Sequence, residues 1–212
     1  MSARDDTGCV VESYGRRVVV ERAGGERVPC KLKRKNLDLV AGDEVNLELA
    51  PGDDEWTVTE RRPRRNVLCR SDSRGRRESL AANLDQLGVV VAPRPACDPF
   101  VVDRYIAGAR YAGIDALLIV NKQDLPAGDG DLSFVEPFRA LGMPLVLVSA
   151  HSGAGLQALI ERLTGRRSLL AGQSGVGKSS LLNALAGEAL RATGALSQGS
   201  GEGRHTTVSS AI

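Results

Sequence analysis

Hydrophobic positions along this chain change their period near residue 80, and the change divides it into two parts. Between residues 9 and 60 the apolar residues come in short runs that read as five strands: Cys9–Ser13, Arg16–Glu21, Arg27–Lys31, Glu44–Leu49 and Glu55–Glu60. Val45, Leu47 and Leu49 alternate with Asn46 and Glu48, the period-two pattern of a strand with one buried and one wet face. Ala23-Gly24-Gly25 and Pro51-Gly52-Asp53-Asp54 separate neighbouring strands as hairpin turns do. Five short strands in so few residues predict a small closed barrel, of the OB or an SH3-like type.

Beyond the break, Leu87–Ala92, Ala116–Val120, Leu145–Val148 and Ser168–Ala171 are apolar without alternation, as strands buried on both faces must be. Helical signals lie between them. Asp98-Pro99 supplies an N-cap and a first-turn proline, with Gly113 as the stop. Leu156, Leu159, Ile160 and Leu163 recur at helical spacing before Arg166. Strands alternating with helices predict an α/β unit with a parallel sheet covered on both faces.

Composition adds bounds rather than detail. The chain has 212 residues, 42% of them hydrophobic and 25% charged, which suits one small and one medium domain. No apolar run approaches membrane-spanning length, and Met1–Asp6 has no signal-peptide character. Four cysteines lack CxxC pairing, as expected of reduced thiols in a cytoplasmic protein. The net charge of +2 conceals eight arginines in residues 61–77 (Arg61, Arg62, Arg64, Arg65, Arg70, Arg74, Arg76, Arg77), opposed only by Asp72. A polyanionic partner is therefore expected at the first third of the chain. A solvated linker is the bland alternative for such a charge run.

Three motifs carry candidate chemistry. Gly172-Gln173-Ser174-Gly175-Val176-Gly177-Lys178-Ser179 satisfies every fixed position of a P-loop, follows an apolar strand, and leads through Ser180 into a helix with Leu181, Leu182 and Leu185 on one face. Its backbone N–H groups and the helix N-terminus suit phosphate. Lys178 would reach the β- and γ-phosphates, and the Ser179 hydroxyl would bind Mg²⁺. Asn121-Lys122-Gln123-Asp124 ends the strand Ala116–Val120 and matches N-K-x-D. There Asp124 can accept two hydrogen bonds from guanine, Asn121 can brace the loop, and the Lys122 stem can cover a base face. Ser149-Ala150, one helix later, fits the motif in which a backbone N–H meets the guanine carbonyl. An ATP-using P-loop enzyme is disfavoured by Asn121–Asp124. In Ras-like GTPases the P-loop comes first and N-K-x-D later, whereas here the order is N-K-x-D, Ser-Ala, P-loop, so the motifs converge on one sheet edge only if the fold is circularly permuted.

Taken together, these motifs resemble the permuted ribosome-small-subunit-dependent GTPases, called RsgA or YjeQ in bacteria. Val40–Val45, Arg64–Arg70, Leu80–Gln86, Asp103-Arg104-Tyr105 and Gly203-Arg204-His205-Thr206-Thr207 extend the likeness over the whole chain. The resemblance implies an OB-fold RNA-binding domain over 1–62, an arginine-rich linker over 63–78 and a partial permuted GTPase domain over 79–212. It also implies GTP or GDP with Mg²⁺ as ligands, the 30S ribosomal subunit and its rRNA as partners, and a monomeric cytoplasmic factor that hydrolyses GTP in late 30S maturation without a membrane. His205 is then a candidate for orienting the attacking water and Lys178 for stabilising charge, while Thr206 or Thr207 would join Ser179 at the metal. The D-x-x-G motif and the zinc-binding domain of the family are expected beyond Ile212, so this chain is expected to hold no zinc ligands. By the same reading, sheet strands flanking Ser168–Ala171 would be largely missing. A non-catalytic nucleotide- and RNA-binding module is the alternative reading. Tyr14 and Trp56 are the only aromatics of the barrel, so RNA recognition there would rest on backbone and shape.

Overall fold

The structure is a computed structural model that describes residues 4–14, 17–34, 37–71, 74–126, 128–196 and 207–209; for 4, 5, 189–196 and 207–209 it describes the backbone alone. The chain forms two compact units, Met1–Leu84 and Asp85–Ile212.

In the first unit, strands β1 (Arg4–Tyr14), β2 (Arg17–Arg22), β3 (Arg27–Leu32), β4 (Glu44–Leu49) and β5 (Trp56–Arg61) close into a barrel in the order β1-β2-β3-β5-β4. The antiparallel pairing of β1 with β4 completes the ring, and β3 runs parallel to β5. This is a five-stranded barrel of the OB type. The alternation seen in the sequence fills it: Val18 and Val20, Val28 and Cys30, and Val45 and Leu47 point inward with Val10, Leu39 and Val58. Burial pushes the Cys30 thiol up to about 11, so it is an inert core group.

The arginine-rich segment 63–78 is more ordered than a linker. Strands β6 (Val67–Ser71) and β7 (Arg77–Ala82) pair as an antiparallel hairpin. Arg64 makes a two-pronged contact with the fully buried Asp43, Nε to Oδ1 at 2.7 Å and Nη2 to Oδ2 at 2.9 Å. Nη2 also donates to the Asp38 carbonyl. Asn83 donates to the Gly42 carbonyl and accepts from the Arg65 N–H, and Asn66 exchanges two hydrogen bonds with the backbone of Leu84. Such a charge run left a solvated linker as its alternative reading, but the carboxylate that holds Arg64 comes from 21 residues upstream.

The second unit is a five-stranded sheet in the order β10-β9-β8-β11-β12, with every pairing parallel. Its strands are β8 (Gln86–Val91), β9 (Asp115–Val120), β10 (Leu145–Leu147), β11 (Ser168–Ala171) and β12 (Thr207–Ser209). Helix α1 (Pro99–Tyr111) packs on β8 and β9 through Val102, Ile106 and Ala109. Asp98 caps it by accepting from the Phe100 N–H, with Pro99 in the first turn. A second core combines Val90, Leu117, Ile119, Val146 and Leu170 of the sheet with Leu156, Leu159 and Leu163 of α3 (Leu156–Leu163) and Leu181 of α4 (Lys178–Leu196). The short α2 (Val135–Ala140) connects β9 to β10. The fully buried run of β8 explains its lack of alternation.

One expectation is corrected here. Strand β11 lies between β8 and β12, with Ser168 opposite Thr207 and Leu170 opposite Ser209. The chain after α4 thus supplies a neighbour for the edge that the resemblance left bare. Among the described residues no helix is long and apolar enough to cross a membrane.

Candidate nucleotide site

The sheet order reverses at β8. Successive crossovers step from β8 to β9 to β10 on one side, and the next returns to β11 on the other. In open parallel sheets a ligand crevice forms at such a reversal, beyond the carboxyl ends of the strands. The loops leaving β8, β9, β10 and β11 there contain Ala92–Asp98, Asn121–Asp124, Ser149-Ala150 and Gly172–Lys178.

The P-loop curls tightly between β11 and α4. Gly172 has φ +148 and Gly177 φ +93; a Cβ at the first would strike the Val90 carbonyl, and at the second the Asn121 amide. Only glycine allows both backbones so close. Lys178 Nζ folds back onto the carbonyls of Gly172 at 2.7 Å and Gln173 at 2.9 Å, and its burial lowers the pKa of the ammonium. Ser174, Ser179 and Ser180 are exposed around the start of α4.

Asn121, almost fully buried, joins three loops. Its N–H donates to the Val91 carbonyl, its side-chain amide to the Val176 carbonyl at 2.9 Å, and its side-chain oxygen accepts from the Ala150 N–H at 3.1 Å. Lys122, in the left-handed region at φ 63, donates from Nζ to the carbonyls of Arg94 and Gly175. The Gln123 N–H donates to the Val148 carbonyl. Asp124 accepts from the Ser149 hydroxyl, which in turn accepts from the Ser152 N–H. The Ser149 hydrogen bond, then the backbone N–H of Asp124, hold its carboxyl below the usual carboxylate range, and the charges of His151 and Lys122 add to this. Asn121, Lys122, Asp124, Ala150, His151, Gly177 and Ser180 line a cavity of about 360 Å³.

The structure thus brings together Asn121–Asp124, Ser149-Ala150 and Gly172–Ser180. His205 and Thr206 lie outside the described residues. Thr207 is described by its backbone, which pairs with Ser168 at the entering end of β11, whereas the P-loop leaves the other end. The structure therefore does not place Thr207 beside Ser179. Two contacts escaped the sequence. Gln173 Oε1 accepts from the Asp98 N–H and ties the P-loop to the cap of α1, and His151 lines the cavity. Asp98 stood out as a cap; nothing local marked its link to residue 173.

A parallel sheet that carries the base-recognition loops before its P-loop is the fold class of circularly permuted P-loop GTPases. Comparison with known proteins agrees. The family model described as RsgA GTPase matches residues 61–212. The chain is 39% identical over 215 residues to the small ribosomal subunit biogenesis GTPase RsgA of Pseudomonas putida, and 40% identical over 218 residues to that of Pseudomonas fluorescens. Each alignment spans 98% of this chain and 62% of the relative, so the chain covers less than two thirds of those proteins' length. Its structure is similar to that of YjeQ from Thermotoga maritima, with a TM-score of 0.66, 32% identity and coverage of 86% of this chain and 65% of the other. It is also similar to YloQ, a circularly permuted GTPase, with a TM-score of 0.62, 25% identity and coverage of 85% and 64%. The chain belongs to the RsgA GTPase family.

Proposed function

We propose that this chain binds GTP and GDP at the β8/β11 crevice, hydrolyses GTP, and serves as a monomeric cytoplasmic factor in late maturation of the 30S ribosomal subunit, meeting rRNA through its barrel unit. The observation that carries the nucleotide reading is the Asn121 bridge, which holds the N-K-x-D loop against both the Ser-Ala loop and the P-loop. Asp124, kept ionised by Ser149, presents acceptors to the two ring-edge donors of guanine, which adenine lacks. The Ala150 backbone and the Lys122 stem complete the base pocket. The curl of Gly172–Lys178 offers N–H groups and an ammonium to the phosphates.

Mg²⁺ fits this donor set. It takes one or two protein oxygens and completes its shell with phosphate and water, and the exposed Ser179 hydroxyl at the start of α4 is such an oxygen. When bound, the ion would neutralise negative charge on the nucleotide's phosphates. Thr206 and His205 remain proposals from the family resemblance, for the metal and for the attacking water. Lys178 would stabilise negative charge that develops on the transferred phosphoryl group.

Competition titration with GTP, GDP and ATP tests the binding reading, and equal affinity for ATP and GTP would overturn it. Single-turnover hydrolysis with and without 30S subunits tests the enzymatic one. Tight guanine binding with no hydrolysis in either condition would leave a nucleotide- and RNA-binding module. The names of the relatives, as small ribosomal subunit biogenesis GTPases, support the choice of 30S subunits as partner.

A further inference from the structure

Helix α1 has an outward face that nothing within the described residues uses. Phe100, Arg104, Ala107 and Tyr111 are spaced at i, i+4, i+7 and i+11 and form one exposed stripe opposite the buried Val102, Ile106 and Ala109. Phe100 is 77% exposed and Tyr111 86%. The chain holds only three Phe, three Tyr and one Trp, so two well-exposed rings on one stripe are a concentrated use of a scarce side chain. Scattered single apolar residues on a surface need no explanation; two rings in register on one helix do. Arg104 lies between the rings on the stripe, and the exposed Arg110 and Asp103 lie about a quarter-turn to one side of it. The side chains of Asp103 and Arg104 make no hydrogen bond or ion pair among the described residues, although both belong to the Asp103-Arg104-Tyr105 motif noted in the sequence.

We infer that this face of α1 is an RNA-docking surface, in which Phe100 and Tyr111 stack on unpaired bases while Arg104 and Arg110 meet the flanking phosphates. Rings about 16 Å apart along a helix, at 1.5 Å rise per residue, suit a short single-stranded stretch or loop rather than one base. Aromatic faces accept any base, and arginine adds both charge neutralisation and stacking. A protein partner for two arginines would need acidic groups, whereas RNA supplies the anion and the π-surface together. The surface adjoins the nucleotide site, since the Asp98 N–H at the cap of α1 donates to Gln173 of the P-loop. The inference rests on the proposed ribosomal role, because that role supplies an RNA partner.

The test uses the full chain, 30S subunits and a fluorescein-labelled single-stranded RNA of mixed sequence. Phe100→Ala with Tyr111→Ala should weaken both complexes by about tenfold or more, and Phe100→Trp should keep the affinity. Arg104→Gln with Arg110→Gln should reduce the magnitude of the log K against log salt slope by roughly 0.7 for each lost contact. Unchanged nucleotide affinity and melting temperature would show that the variants are folded. Unaltered RNA and 30S affinity in the folded ring variant would overturn the docking surface alone. Absence of RNA and 30S binding by the unmutated chain would instead overturn the ribosomal reading on which it rests. Concentration-dependent self-association that the ring variant abolishes, with RNA affinity intact, would assign the stripe to a second copy and also overturn the inference.

Discussion

The Ser149 hydroxyl donates to Asp124 Oδ1 at 2.5 Å, joining two loops whose residues lie 25 positions apart in the chain. The contact fixes the orientation of a carboxylate that is otherwise exposed, before any base arrives. Replacing Asp124 by Asn should lower GTP affinity by about 10² to 10⁴ fold, from two lost charge-assisted hydrogen bonds, and shift preference toward xanthine nucleotides. Ser149→Ala should cost about tenfold in GTP affinity with the same base preference. The pH dependence has a defined sign. Ser149 lowers the Asp124 pKa, so the ionised form survives to lower pH with it than without it, and the acid limb of GTP binding should begin at higher pH in Ser149→Ala. Isothermal titration from pH 7 downward reads both effects, and coincident acid limbs would rule out the positioning role.

Asn121 satisfies Val176 and Ala150 at once from an almost fully buried position. Asn121→Ala leaves a buried carbonyl and a partly buried N–H without partners. It should destabilise the second unit by about 2 to 4 kcal/mol and abolish measurable nucleotide binding. Lys178→Ala, by contrast, removes the charge proposed to serve ligand phosphate, so it should lose nucleotide with little change in melting temperature. Similar thermal losses in the two variants would contradict this division between brace and ligand group.

Breaking the Arg64–Asp43 pair tests the order of segment 63–78. With Asp43 fully buried, Arg64→Leu leaves an uncompensated carboxylate and should cost about 3 to 5 kcal/mol in the first unit. Chemical denaturation followed by Trp56 fluorescence reports on that unit, since Trp56 is the chain's only tryptophan. A loss below about 1 kcal/mol, the range of a surface pair, would restore the linker reading.

The same contact divides the arginine run. Arg64 and Arg65 are engaged with Asp43 and Asn83, and Arg70 pairs with Glu78 across the hairpin, while Arg74, Arg76 and Arg77 present exposed side chains there. Replacing Arg74, Arg76 and Arg77 by Gln should weaken binding to different RNA sequences about equally and reduce the magnitude of the salt slope by roughly 0.7 to 0.9 per contact. A salt series with rRNA measures it, with nucleotide affinity as control. An unchanged slope would move the phosphate contacts to the barrel around Lys31 and Lys33.

Local chemistry in the sequence determined a large part of this protein. Period-two alternation over Val45–Leu49, unbroken apolar runs such as Leu87–Ala92, the Asp98-Pro99 cap and the P-loop glycines all act through backbone dihedrals and burial within a few residues, so each can be read where it stands. The motif order also revealed the permutation, because a strand's carboxyl end identifies its loop whatever the order of strands in the chain. Tertiary structure alone decided what the polar side chains do. Asn121 reads as a base contact and is also a buried brace between three loops; Arg64 reads as free charge and is held by Asp43; Ser168–Ala171 reads as a bare edge and is covered by Thr207–Ser209. These are pairings between distant segments. Hydrogen bonds and ion pairs act over a few ångströms, so which partners meet is settled only when the sheet and barrel close and bring those segments together.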